Sequence, residues 1–269
     1  MRHPAVSGMF YPSAKPDLEA AIDKVLSAAV LPETEIKRLI GVVVPHAGYE
    51  YSGGTAAYSY NTIRKCSSSR NFVIIGPNHR GIGSSVSTGM DQWETPLGTA
   101  EVNVGTMNEI MSEVPFVEND PRSQYAEHSI EVQIPFLQRI YGKEFTFVPI
   151  CMWYQEKDAA IPLGDALVKH IDEFTIIASS DLNHYQKQEI TVRKDLALID
   201  KIVELDLAGF YRTLREEDVS ACGYGAIATL IHVTRKMNGR IKLLHHTTSG
   251  EVTGNDEPVV GYASMVAYI

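Results

Sequence analysis

The chain has 269 residues, 44% of them hydrophobic, a formal net charge of −9 and a pI of about 5.5. That apolar content excludes general disorder. An acidic chain without a block of basic residues argues against nucleic acid or an anionic membrane as the main partner. Met1-Arg2-His3-Pro4 is not followed by an apolar signal segment, and no apolar run is long enough to span a bilayer, so the expected address is the cytoplasm. Three cysteines, Cys66, Cys151 and Cys222, are too few and too odd in number for a disulfide framework.

In chain order, Lys15 to Val30 has helical spacing, with Leu18, Ala21, Ile22, Val25 and Leu26 on one face. Ile40 to Val44 reads as a buried strand, Gly48 to Gly54 as a Gly-rich loop and Thr55 to Arg64 as a helix. A second strand starts at Phe72 and is followed by a long polar excursion through Asp91 to Gly98. Helices are expected over Val104 to Val114 and Ala126 to Tyr141, then a strand over Phe145 to Cys151. Asp158 to Ile171 is a helix, Phe174 to Ser179 a strand, and Ile190 to Leu205 and Asp206 to Leu214 are helices. Cys222 to Met237 is a long helix ending at Asn238-Gly239. Ile241 to Thr247 and Val259 to Ile269 close the chain as two strands around a Gly/Asn/Asp turn. The alternation predicts one α/β domain over residues 1–269, its mixed, mostly parallel central sheet flanked by helices.

Three of these runs end in groups that bind metals or protons: Pro45-His46, Gly76-Pro77-Asn78-His79, and Ser180-Asp181-Leu182-Asn183-His184. If the three strands are parallel, their C-terminal ends share the edge where open α/β sheets bind ligands. His46, His79, Asp181 and His184 then converge. Two histidines at equivalent strand ends fit a transition metal, for which imidazole is the commonest ligand. Asp181, three residues before His184, is placed to orient that imidazole as a general acid/base, although a capped turn accounts for the same residues. Cys222 stands between Ala221 and Gly223 where a helix should begin, a position that favours thiolate. Its bland alternative is a small buried hydrophobe. His128 and Glu131 are spaced to share one helix face and reach the same pocket, or else to lie on a solvated helix start. Tyr49, Tyr51 and Tyr185 are placed to shape the pocket. No P-loop, dinucleotide fingerprint, H-E-x-x-H pair or nucleophile elbow appears.

Several stretches, in order along almost the whole chain, resemble the Memo family. They are Pro4 to Pro12, Pro45-His46-Ala47-Gly48-Tyr49 with Tyr51-Ser52-Gly53-Gly54, Gly76-Pro77-Asn78-His79, Thr95-Pro96-Leu97-Gly98, Glu127-His128-Ser129-Ile130-Glu131, Ser180 to Tyr185, Cys222-Gly223 and Val260-Gly261-Tyr262. The resemblance implies a fold similar to class III extradiol dioxygenases, which hold non-haem Fe(II) with two histidines and a glutamate. By motif, His46 and His79 match the histidine ligands and His184 the acid/base histidine. Cys222 stands where Memo proteins carry a cysteine as third ligand, a departure from the dioxygenase carboxylate. Thiolate is softer, so copper and zinc compete with Fe(II). The resemblance also implies a small-molecule or peptide ligand, and a pathway shared with radical-SAM and AMMECR-type proteins. The expected function is a metal-binding protein with redox or dioxygenase-like chemistry. A non-enzymatic peptide-binding module and a true catechol-type dioxygenase are the alternatives.

Overall fold

Four apolar runs become the parallel centre of the sheet. A computed structural model describes residues 1–269. It contains, in order, α1 (Lys15–Ala28), β1 (Leu39–Val44), α2 (Tyr49–Cys66), β2 (Asn71–Pro77), β3 (Val86–Thr88), β4 (Trp93–Thr95), β5 (Gly98–Val102), α3 (Val104–Glu113) and β6 (Val117–Asn119). Then come α4 (Ile134–Tyr141), β7 (Thr146–Met152), α5 (Lys157–Lys169), β8 (Thr175–Ser179), β9 (His184–Gln186), α6 (Gln188–Val203) and α7 (Leu207–Glu216). The chain ends with α8 (Tyr224–Lys236), β10 (Arg240–Thr248), the short α9 (Ser249–Thr253) and β11 (Val259–Tyr268).

The strands run β10-β11-β1-β8-β2-β7-β3-β6 across one mixed sheet. β1, β8, β2 and β7 are mutually parallel, in a register that sets Val44 beside Ser179 and Ile75 beside Ala178. β11 and β10 add as an antiparallel pair on the β1 side, as the closing hairpin pattern predicted. Alternation along each central strand separates two cores. Val73, Ile75, Val148, Ile150 and Ile176 face α3 and α5 to α8. Phe72, Ile74, Phe147 and Ile177 face α1, α2 and α4. A strand buried on both faces cannot slip by one residue without exchanging the two cores, so the positions of the strand ends are fixed. No helix is long and apolar enough to cross a membrane.

Four expectations change. Gly48 to Gly54 is not a loop: α2 starts at Tyr49, and Gly53 and Gly54 lie inside it with open space or ordinary contact around them. The polar excursion at 91–98 holds a strand pair, β4 with β5, anchored by the fully buried Trp93. Residues 126–133 form irregular chain and a short 3-10 turn, and α4 begins only at Ile134. Cys222 precedes α8 instead of starting it, because Gly223 is the N-cap.

Gly223 explains how the Cys222 loop reaches the sheet. A Cβ there would lie 2.3 Å from the Ser179 carbonyl oxygen and 2.8 Å from Ser180 Cβ. Only glycine permits this approach to the end of β8. Gly223→Ala is therefore expected to cost about 1–3 kcal/mol, as overpacking does, and to lower Tm by roughly 3–10 °C. Thermal denaturation followed by circular dichroism checks this, and an unchanged Tm would mean that the contact is not tight.

Candidate metal centre

His46, Asp181 and His79 each lie two residues beyond the last residue of β1, β8 and β2. The parallel register brings them to one edge, and the Cys222 loop closes over them. They line a cavity of about 580 Å³ together with His128, His184, Tyr185, Ser220 and the apolar Phe10, Ala47 and Val260. One ligand atom from each of His46, His79 and Cys222 falls within 4.8 Å of the others. Asp181, His184 and Cys222 meet the same criterion, as do His79, Glu127 and His128. His46 Nε2 lies 3.1 Å from Cys222 Sγ.

Hydrogen bonds at the back of each imidazole decide which nitrogen faces the cavity. Ser179 Oγ donates its one proton to the Ser129 carbonyl at 2.6 Å and accepts from Gln133 Nε2 at 2.8 Å. The Gln133 amide is itself oriented, donating to the Pro45 carbonyl and accepting from Tyr60 Oη. Ser179 Oγ can therefore only accept from His46 Nδ1, 2.9 Å away. His46 carries its proton on Nδ1 and keeps Nε2 bare. His79 Nδ1 donates to Glu127 Oε1 at 2.9 Å. His184 Nδ1 donates to the Ser220 carbonyl at 2.9 Å, and its backbone N–H donates to Ser220 Oγ. All three imidazoles thus turn Nδ1 to a partner behind the cleft, which directs Nε2 toward the cavity, the orientation a metal ligand or general base requires.

The electrostatics agree. Burial lowers His46 well below the usual histidine range, helped by the neighbouring His79. Burial and the nearby His46 bring His128 down to about 3. Burial pushes Glu127 upward, but its bonds to His79 and to the Ser129 amide overcome that and hold it at about 2. Glu127 is therefore an anion hydrogen-bonded behind the His79 ring, an arrangement that raises the basicity of an imidazole. Burial, with the adjacent Asp181, pushes the Cys222 thiol up. Asp181 is also raised by burial, while its Oδ1 accepts the His46 amide at 2.8 Å.

Of the residues singled out in the sequence, His46, His79, Cys222, Asp181, His184, His128 and Tyr185 line the cleft. His128 stacks on His79 with ring centroids 4.5 Å apart. Tyr185 is 74% exposed at the rim, in the left-handed region at φ 59°. Three placements differ. Glu131 turns away into the core, where it meets Arg2, Tyr11 Oη and the amides of Ala5 and Val6, because residues 127–133 are not the helix that would align it with His128. Tyr49 is buried, with its hydroxyl on the Val132 carbonyl. Tyr51 is exposed on the first turn of α2, outside the cleft lining. The partner that orients His184 is Ser220, not Asp181. Sequence reasoning missed Glu127, Ser179, Gln133 and Ser220. Only Glu127 carried a signal, as an acid directly preceding a candidate histidine.

A mixed α/β sheet with a His/His/Cys cleft across the ends of its parallel strands defines the class of protein. The family model described as Memo-like protein matches residues 2–266. A MEMO1 family protein of Thermoplasma volcanium is 47% identical over 269 residues, covering 99% of this chain and 98% of the relative. One from Thermotoga maritima is 43% identical over 279 residues, with 99% of each chain covered. One from Methanosarcina acetivorans is 40% identical over 271 residues, covering 99% of this chain and 98% of its own. The chain belongs to the Memo family.

The proton inventory sets how metal uptake by these groups would depend on pH. Burial keeps the Cys222 thiol protonated near neutral pH, so binding as thiolate must release a proton. His46 and Glu127 have already lost theirs. Affinity is expected to rise with pH, by about tenfold per unit for one released proton, between pH 7 and 8.5. Competitive chelator titrations with Co(II) check this, and a flat profile would mean that Cys222 is not a ligand.

Proposed function

We propose that this protein binds one transition-metal ion through His46 Nε2, His79 Nε2 and Cys222 Sγ, and uses it in redox or dioxygenase-like chemistry on a ligand held in the cleft. The observation that carries this reading is the mutual approach of those three ligand atoms to within 4.8 Å, with both imidazoles in the Nδ1–H form. The donor set fits such an ion. Two neutral nitrogens and a soft thiolate suit iron or copper, with zinc as the third candidate. The ion would supply Lewis-acid polarisation and, for iron or copper, redox capacity.

The chain's own residues provide the rest. Three protein ligands leave coordination positions for a substrate. His184 can take a proton at Nε2 while Ser220 holds its Nδ1–H, which keeps the base in one tautomer. Asp181, whose Oδ1 accepts the His46 amide, lines the same cleft, and burial pushes its carboxyl upward. Phe10, Ala47 and Val260 give the cleft an apolar wall, which strengthens these interactions by excluding water.

A second reading, an interaction module gripping a peptide side chain, draws support from the exposed aromatic residues at this sheet edge. These are Tyr185 at the rim and Trp153 and Tyr154 just beyond β7, with Trp153 packed near Gly81. It predicts peptide affinity that survives metal removal, with no turnover.

Anomalous scattering from crystals of anaerobically prepared protein tests the leading reading, by reporting metal identity and ligands together. Cys222→Ala is expected to lower metal affinity by more than the roughly 10–100-fold expected of Glu127→Gln, which acts one layer out. Equal affinity in wild type and Cys222→Ala would overturn the proposed ligand set. Anaerobic Fe(II) loading followed by a panel of catechols, watched for ring-opened product, separates true ring cleavage from other redox chemistry.

A further inference from the structure

A charged side chain is almost never fully buried unless it is paired, yet Arg2 is only 1% exposed and every part of its guanidinium is engaged. Nη2 donates to the Glu127 carbonyl at 2.7 Å and Nε to the Gln124 carbonyl at 3.1 Å. Nη1 pairs with Glu131 and donates to the His3 carbonyl. The guanidinium carbon stands 4.2 Å from the centroid of the Trp93 ring. Arg2 therefore grips the backbone of the 124–131 segment from beneath, and that segment carries His128 into the cleft and Glu127 behind it. The same N-terminal stretch then reaches the cavity itself. Glu131 accepts the amides of Ala5 and Val6 and the Tyr11 hydroxyl. The Phe10 carbonyl accepts the Tyr49 amide at 2.7 Å, and the Phe10 ring lies 4.6 Å from that of His128.

We infer that Arg2 is a positioning residue of the cleft: by holding the Glu127 peptide it sets the carboxylate that fixes the His79 tautomer. This rests on the metal-binding reading for its effect on affinity, but not for its effect on the tautomer. The Glu127 carboxylate must meet the His79 side chain, the His79 amide at 2.5 Å and the amides of His128 and Ser129 at 2.8 Å together. That demands one backbone placement for residue 127. A planar fork spanning two carbonyls supplies it, and a lysine, a point charge on a flexible stem, does not.

The test compares Arg2→Lys with Tyr11→Phe, which loosens the Glu131 end of the strap without touching Glu127. Histidine tautomers are read in metal-free protein by long-range proton–nitrogen NMR, and Co(II) affinity from thiolate-to-metal charge-transfer absorption. Arg2→Lys is expected to convert His79 from the Nδ1–H form to a tautomer mixture and to weaken Co(II) binding about tenfold, the lower end for an outer-shell partner. Tyr11→Phe is expected to lower Tm while leaving both readouts within twofold of wild type. A folded Arg2→Lys with wild-type tautomer and affinity overturns the inference. So do equal losses in both variants, which would make Arg2 a general staple. If Arg2→Lys does not fold, Trp93→Phe, which thins the ring beneath the guanidinium, decides: a partial shift of the same two readouts supports the role, and no shift overturns it. If wild type takes up no Co(II), the metal reading fails and the tautomer comparison alone judges Arg2.

Discussion

The side-by-side parallel pairing of β1, β8 and β2 is the constraint on which the rest depends. Adjacent strands stand about 4.8 Å apart, so groups just past their ends share one small volume. His46 and His79 come from strands separated by β8, and their rings still approach to 5.2 Å. They lean across the end of β8, where Ser179 is small and Gly223 presses on the backbone. A bulky side chain at either position would hold the imidazoles apart or lift the Cys222 loop away from them. Strand pairing sets the spacing, and small residues at the middle strand let it close.

Burying polar groups here costs free energy unless each finds a partner. Ser179 is satisfied by Ser129, Gln133 and His46, and Gln133 by Pro45 and Tyr60. This network does more than avoid a penalty. Each hydroxyl, amide and carboxylate behind the cleft removes one of the two tautomers open to a neutral imidazole. The lone pairs facing the cavity are a consequence of donors and acceptors assigned one layer further out.

That layering explains what was legible in the sequence. His46, His79 and Asp181 announce themselves because each breaks an apolar run at its end, and burial on both faces is written into such runs. The closing antiparallel pair was legible for a different reason, as two strand-like runs around a Gly/Asn/Asp turn. Glu127 and Ser220 were not, because their role is set by a neighbour distant in the chain. The spacing of His128 and Glu131 suggested a shared helix face, but Glu127 draws in the amides of His128 and Ser129, and the backbone bends around its carboxylate instead of continuing a helix. Gly53 and Gly54 misled in the other direction. Their composition reads as loop, and the early turns of a helix packed on β1 tolerate them. Local propensity was overruled where tertiary hydrogen bonds or packing had a stronger demand.

A cysteine at position 222 in place of a carboxylate changes the charge balance of the cleft as well as its softness. The imidazoles of His46 and His128 are neutral, Asp181 is driven toward its neutral form, and Cys222 remains a thiol while no cation is near. Glu127 is then the one firmly ionised acid behind the site. On the proposed ligand set, a divalent ion that displaces the thiol proton would meet the Cys222 thiolate, with the Glu127 carboxylate one layer out as a second negative charge. On that same set, the thiol would therefore make metal binding depend on an ion soft enough to displace its proton.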